Sequence, residues 1–202
     1  MTLPTAPTVT LPAGALIVRI HKKIHGPIFF GPQAGTPPVY RFDAPNSEYG
    51  TIYAAETLVG AFVETVLRKP KGRILKKDFV DERSWSEIKL ATPIILAKLY
   101  DEGLQAYGTD AGVISGDAYP PRRDIALDLF RRHSSLHGIA YRSKYNNGEI
   151  CYAIFDRIGP NDFAPAPPND FDQNPGVADA IMRGHHAHYD TSGPIPPLSK
   201  IA

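Results

Sequence analysis

Prolines bracket this sequence. Of its 20 prolines, three fall in the first twelve positions and eight between positions 160 and 197. Proline fixes φ and lacks the amide donor that ladders and helices use, so both ends read as ordered loops or extended wraps. The regular fold is therefore expected in the middle of the chain. This gives a domain over residues 14–157, an N-terminal extension over 1–13 and a Pro/Gly-rich C-terminal extension over 158–202. A chain of this length buries roughly 70% of its unfolded surface, enough for a sizeable core.

Within that middle the hydrophobic pattern switches repeatedly. GALIVRI (14–20) reads as a strand with Arg19 near its end, and VYRFD (39–43) as a strand that stops at Pro45-Asn46. TIYAA (51–55) is a further strand. A helix follows over 56–69, with Thr57 as its N-cap and Leu58, Ala61, Phe62, Thr65 and Val66 on one face. Pro70 and Gly72 end it. Strands are expected over 73–80, 86–91 and 94–100, then a loop-rich stretch over 101–119. A second helix spans 121–137, with Gly138 as its C′ residue. GIAYRS (138–143) and EICYAIFD (149–156) form a hairpin around Asn147-Gly148. Strands cluster and helices are few, which makes the fold class α+β.

Composition removes several functions. Lys+Arg is 22 and Asp+Glu is 21, so a polyanion-binding surface is not the main business of the chain, and no direct nucleic-acid binding is expected. Cys151 is the single cysteine, which excludes an internal disulfide and a Cys-based zinc knuckle and fits a reducing cytosol. No apolar run is long enough to span a membrane, and the N-terminus lacks the basic region of a signal peptide. There is no P-loop, dinucleotide-binding glycine motif, nucleophile elbow or HExxH pair. His185, His186 and His188 cluster with Asp190, but their spacing matches neither a helical metal site nor a finger, so no metal is expected.

The informative stretch is 39–68. It places Arg41 at a strand end, Tyr53 on the next strand and Glu64 inside the following helix, off its apolar stripe. Gly60, one turn before Glu64, has no side chain to block a ligand. Arg, Tyr and Glu can thus converge on one cleft. Taken singly, each also has a plain reading: a surface ion-pair partner, a half-buried packing ring and a solvated carboxylate.

The order and spacing of several short motifs resemble the RES domain family. They are VRIH (18–21), FFG (29–31), RFDAP (41–45), YGTIYAAE (49–56), AFVET (61–65) and GIAYRS (138–143). The resemblance covers most of residues 16–157. It implies a fold similar to that of ADP-ribosyltransferases, with mixed or antiparallel sheets and few helices. It also implies a toxin of a bacterial type II toxin–antitoxin pair, cytoplasmic, with an Xre-type helix-turn-helix antitoxin as partner. The activity it implies is destruction of NAD+ by phosphorolysis or hydrolysis, or transfer of ADP-ribose to a protein. The residues it carries over are Arg41, Tyr53, Glu64 and Ser143.

The chemistry suits these side chains. Cleaving the nicotinamide–ribose bond passes through an oxocarbenium-like cation, which the Glu64 carboxylate would stabilise. A guanidinium holds a pyrophosphate through paired hydrogen bonds, which suits Arg41. The ring of Tyr53 would pack on nicotinamide or position the ribose, and Ser143 would bond ribose or the amide. If inorganic phosphate is the co-substrate, Arg19 is the leading extra cation, with His25, Arg142 and Lys144 behind it. Arg142 alternates with Ser143 and so faces away from a cleft that Ser143 faces. A non-catalytic interaction module and a homo-oligomer stay open on sequence alone.

Overall fold

The structure, a computed structural model, describes residues 6–68, 73–116 and 120–191. Its elements run β1 (Thr8–Leu11), β2 (Leu16–Lys22), β3 (Thr51–Ala55), α1 (Leu58–Thr65), β4 (Ile74–Leu75), α2 (Lys77–Asp81), β5 (Arg83–Leu90), β6 (Ile94–Leu99), α3 (Glu102–Ala106), α4 (Ala111–Ser115), α5 (Pro120–Arg132), β7 (Gly138–Arg142), β8 (Ile150–Phe155), β9 (Phe163–Pro165), β10 (Asn169–Asp170), α6 (Pro175–Gly184) and β11 (His188–Tyr189). One nine-stranded sheet has the order β1-β6-β7-β8-β3-β2-β5-β10, with β9 also on β5. The β6–β7 pair is parallel and the rest of this sheet is antiparallel. The fold is α+β.

Period-2 alternation builds the core. Along β8, Cys151, Ala153 and Phe155 face one apolar cluster, while Tyr152 and Ile154 face another. In β7, Ile139 and Tyr141 join the first cluster and Ala140 the second. Both faces of these strands are therefore buried, which is why they read as nearly continuous apolar runs. The first cluster is covered by Phe62 of α1, Ala126 and Leu129 of α5, and Ala178 and Met182 of α6.

Several local expectations are corrected. Residues 39–43 form no strand but a turn-rich strap, because side chains rather than a neighbouring strand satisfy their backbone N–H groups. The expected strand over 73–80 splits into β4 and α2, whose single turn buries Val80 and carries the Lys77–Asp81 pair. The stretch 101–119 holds α3 and α4. Helix α1 is shorter than expected, although Thr57 caps it as anticipated by accepting from Gly60 N–H at 2.9 Å. Pro70 and Gly72, expected to end it, lie outside the described residues. Helix α5 stops at Arg132, not near His137; residues 134–135 form a turn that Leu136 N–H closes by donating to His133 O at 3.1 Å. Asn147 and Gly148 do lie between β7 and β8, but the connection is longer than a two-residue turn, since Ser143 N–H donates to Glu149 O.

Gly138 is no helix cap; it opens β7, and a Cβ there would sit 2.2 Å from the Ala153 carbonyl oxygen. Gly138→Ala is therefore expected to cost about 3 kcal/mol by pushing β7 off β8. Urea unfolding reads this as a lower midpoint at unchanged slope, and a wild-type midpoint would refute it.

The proline-rich ends also carry regular structure. β1 pairs with β6, and β9 and β10 pair with β5 at the sheet edge. Pro165 ends an edge strand, where a missing donor costs no ladder bond, and Pro175 starts α6. Phe163, Phe171, Ala178 and Met182 anchor this segment in the core. Proline here marks element starts and edges.

Candidate functional site

Glu64 projects from the last turn of α1 toward the start of the β7–β8 connection. Its Oε1 accepts from the Ser143 hydroxyl at 2.7 Å and from the Lys144 backbone N–H at 2.9 Å. Its Oε2 lies 3.3 Å from Nη2 of Arg41. The side chains of Arg41 and Glu64 are 9% and 14% exposed, so this ion pair is largely withdrawn from water. A carboxylate held by three donors, two from the start of the β7–β8 connection and one from residue 41, has little rotational freedom. Its charge is aimed before any ligand arrives.

Arg41 sits on the strap rather than at a strand end. Its guanidinium lies 5.1 Å from the centre of the Tyr141 ring, a cation–π contact from β7. Nη1 is buried and, among the described residues, has no hydrogen-bond partner. A buried guanidinium nitrogen in that state carries unused donors beside the fixed carboxylate.

Ser143 is fully buried. Its Oγ donates to Glu64 and accepts from the Tyr145 N–H at 3.2 Å and the Asn146 N–H at 3.1 Å. With its donor and both lone pairs used, the hydroxyl holds the carboxylate and the turn together.

Tyr53 stands on β3. Its hydroxyl donates to Asp43 Oδ1 at 2.9 Å and accepts from Phe42 N–H at 2.9 Å. Burial, then the neighbouring Asp43 charge, push its pKa well above the usual tyrosine value, so the hydroxyl keeps its proton. Its ring meets that of Tyr40 edge-on at 5.3 Å. The Arg68 guanidinium lies over Tyr40 at 4.9 Å.

The structure thus brings Arg41 and Ser143 each into contact with Glu64, and ties Tyr53 to the strap at Phe42 and Asp43, next to Arg41 in sequence. Arg19 lies in the middle of β2 rather than near its end, and its Nη1 donates to the Phe29 carbonyl at 3.0 Å. Burial lowers its pKa to about 10, with Tyr40 acting in the opposite direction, so it remains a cation at neutral pH. Its one hydrogen bond among the described residues thus goes to the loop carbonyl of Phe29 rather than to the carboxylate network. His25 stacks on Phe29, and Arg142 turns to Asp101 at 3.2 Å. Lys144 contributes its backbone N–H, while its Nζ reaches the Gly116 carbonyl. Gly60 leaves room for protein rather than ligand: a Cβ there would sit 2.8 Å from Glu149 Oε2.

Sequence reasoning missed Asp43, which is fully buried, and Tyr141. Tyr141 was within reach of the pattern, since it alternates with Ile139 on an apolar strand. Asp43 was not, because an aspartate two residues before a proline reads as a solvated turn. Among the described residues, no group of three or more His, Cys, Asp or Glu is arranged to hold a metal ion. His185 follows α6 and His188 lies in β11. A cavity of about 390 Å³ beside Phe30, Ser47, Glu48 and Asp156 shares no residue with the network.

Three comparisons bear on this arrangement. A chain of the MbcT–MbcA toxin–antitoxin complex of M. tuberculosis, known from its crystal structure, matches with a TM-score of 0.66 at 13% sequence identity. The match covers 86% of this chain and 92% of that chain. At such identity the likeness is one of fold. No curated protein matches the sequence. The RES domain model matches residues 16–174, a span that runs from β2 past β10 and takes in the strap, α1 and the β7–β8 connection. On that match, this chain belongs to the RES domain family.

Proposed function

We propose that this protein is an NAD+-degrading toxin that breaks the nicotinamide–ribose bond and is neutralised by an Xre-type antitoxin in a bacterial cytoplasm. The observation that carries the reading is the Glu64 carboxylate fixed by Ser143, Lys144 N–H and Arg41, next to a buried guanidinium nitrogen that has no hydrogen-bond partner among the described residues. A fixed carboxylate stabilises the oxocarbenium-like charge that develops at the ribose carbon as nicotinamide departs. Arg41 would hold the dinucleotide's pyrophosphate through its unused donors, and the ring of Tyr53 would pack against the nucleotide. Ser143 takes a supporting role, since its hydroxyl is already committed to Glu64. Arg19, on β2, would supply positive charge for an inorganic phosphate acceptor. All of these groups fall within the proposed catalytic domain, residues 14–157.

Family membership and the toxin–antitoxin setting of the structural neighbour support the toxin role and the partner. No helix among the described residues is long and apolar enough to cross a membrane.

The test is NAD+ consumption by the purified chain, with and without inorganic phosphate. Loss of NAD+ with release of nicotinamide is expected. A phosphate requirement with ADP-ribose 1″-phosphate as product identifies phosphorolysis, and ADP-ribose alone identifies hydrolysis. No NAD+ loss by the folded protein, with labelled bands in a lysate given tagged NAD+, would replace this reading with protein ADP-ribosylation. No reaction in either assay would leave a binding module.

A further inference from the structure

The strap that carries Arg41 has no strand partner, yet its backbone is well satisfied. Asp43 Oδ2 accepts from Val39 N–H at 2.8 Å and Tyr40 N–H at 2.6 Å. Asp43 Oδ1 accepts from the Tyr53 hydroxyl, and that same hydroxyl accepts from Phe42 N–H. The donors of residues 39, 40 and 42, on both sides of Arg41, therefore end on two interlocked side chains. On the carbonyl side, Arg123 of α5 donates to Tyr40 O and Pro38 O, each at 3.1 Å, and Tyr49 donates to Phe42 O at 3.0 Å. The Phe42 ring is fully buried and meets Tyr141 edge-on at 4.9 Å, below the guanidinium that Tyr141 also contacts. Asp43 itself is 0% exposed and has no route to a ligand.

We infer that Asp43 and the Tyr53 hydroxyl are positioning groups, an interlocked pair that sets the strap so that the Arg41 guanidinium meets Glu64 and Tyr141. They act through Arg41. The Tyr53 ring can face the nucleotide while its hydroxyl is spent on the strap. Without the pair, three backbone donors lose their acceptors, and nothing in the local sequence replaces them with a ladder. The strap then samples open conformations, and Arg41 with it, while the sheet beneath stays folded.

Two measurements on Asp43→Asn and Tyr53→Phe test this. Asparagine keeps the size of the aspartate but turns one acceptor into a donor, so at least one bond is lost. Phenylalanine keeps the ring and removes only the hydroxyl. The first measurement needs no substrate: native-state trypsin digestion, followed by mass spectrometry of each cut. Cleavage after Arg41 is expected to rise about tenfold or more, with cleavage after the buried Arg83 and Arg122 unchanged. Global destabilisation would instead raise all three. The second measurement rests on the NAD+ reading above: the KM for NAD+ is expected to rise about tenfold while kcat falls less than about threefold. A purely structural role would reduce the active fraction and leave KM alone.

If Asp43→Asn does not fold, Tyr53→Phe decides by the same two readouts. Unchanged cleavage after Arg41 with an unchanged KM overturns the inference. If wild type consumes no NAD+, the proposed function has failed, and the cleavage pattern still decides whether the pair holds the strap.

Discussion

Replacing Glu64 by glutamine is expected to slow NAD+ consumption by about a thousandfold, with or without phosphate. The substitution keeps the shape and one oxygen. Oε1 of the glutamine can still accept from Ser143 and from Lys144 N–H, so the last turn of α1 stays tethered to the β7–β8 connection. What disappears is the negative charge that would face the developing oxocarbenium ion. In place of Oε2 stands an amide nitrogen, a donor opposed to the donor Nη2 of Arg41, which sits 3.3 Å away in the wild type. Folding stability should therefore fall by only about 1 kcal/mol, while the chemical step loses far more. The measurement is initial-rate NAD+ loss with urea unfolding on the same samples. A folded glutamine variant that consumes NAD+ at a near wild-type rate would take Glu64 out of the chemistry.

How much of this was legible in the sequence differs between the sheet and the site. The strands with two-sided burial, β6 to β8, announce themselves as apolar runs, broken only by Lys98 and Arg142, because most positions on both faces are buried. Glu64 was identifiable as a carboxylate off its helix stripe, and Thr57 as a cap, since both follow from helical periodicity. Arg41 was expected at a strand end, whereas it lies on the strap beside Glu64. The alternation of VYRFD imitates a strand, but Asp43 and Tyr53 supply the hydrogen bonds that a neighbouring strand would have given. That substitution depends on residues ten positions apart in sequence, which no local pattern reports. Ser143 was read as facing a ligand; only the fold reveals that Glu64 and two backbone N–H groups saturate its hydroxyl. The ends were misjudged for a related reason. Proline counts against a central strand or a helix interior, yet β9 lies on a sheet edge and Pro175 in a first turn, where its missing donor is harmless.

Arg41→Ala is expected to lower kcat/KM by at least about a hundredfold and to destabilise the fold by about 3 kcal/mol. The two losses have separate origins. Activity falls because the substrate's phosphates lose a planar, doubly donating partner, so Arg41→Lys, which keeps the charge and loses the fork, should recover little of it. Stability falls because Glu64, 14% exposed, keeps its charge in a poorly hydrated place with only the Ser143 and Lys144 donors left. That origin makes a further prediction. In Arg41→Ala combined with Glu64→Gln no uncompensated charge remains, so the double variant should be less destabilised than the sum of the singles by about 1–2 kcal/mol. The partial exposure of the pair and its single 3.3 Å contact keep the coupling at that modest level rather than at the larger values of fully buried pairs. Urea unfolding of the four proteins in the cycle reads it directly. Additivity to within about 0.5 kcal/mol would mean that the ion pair contributes nothing of its own, and that the carboxylate is held by Ser143 and the backbone alone.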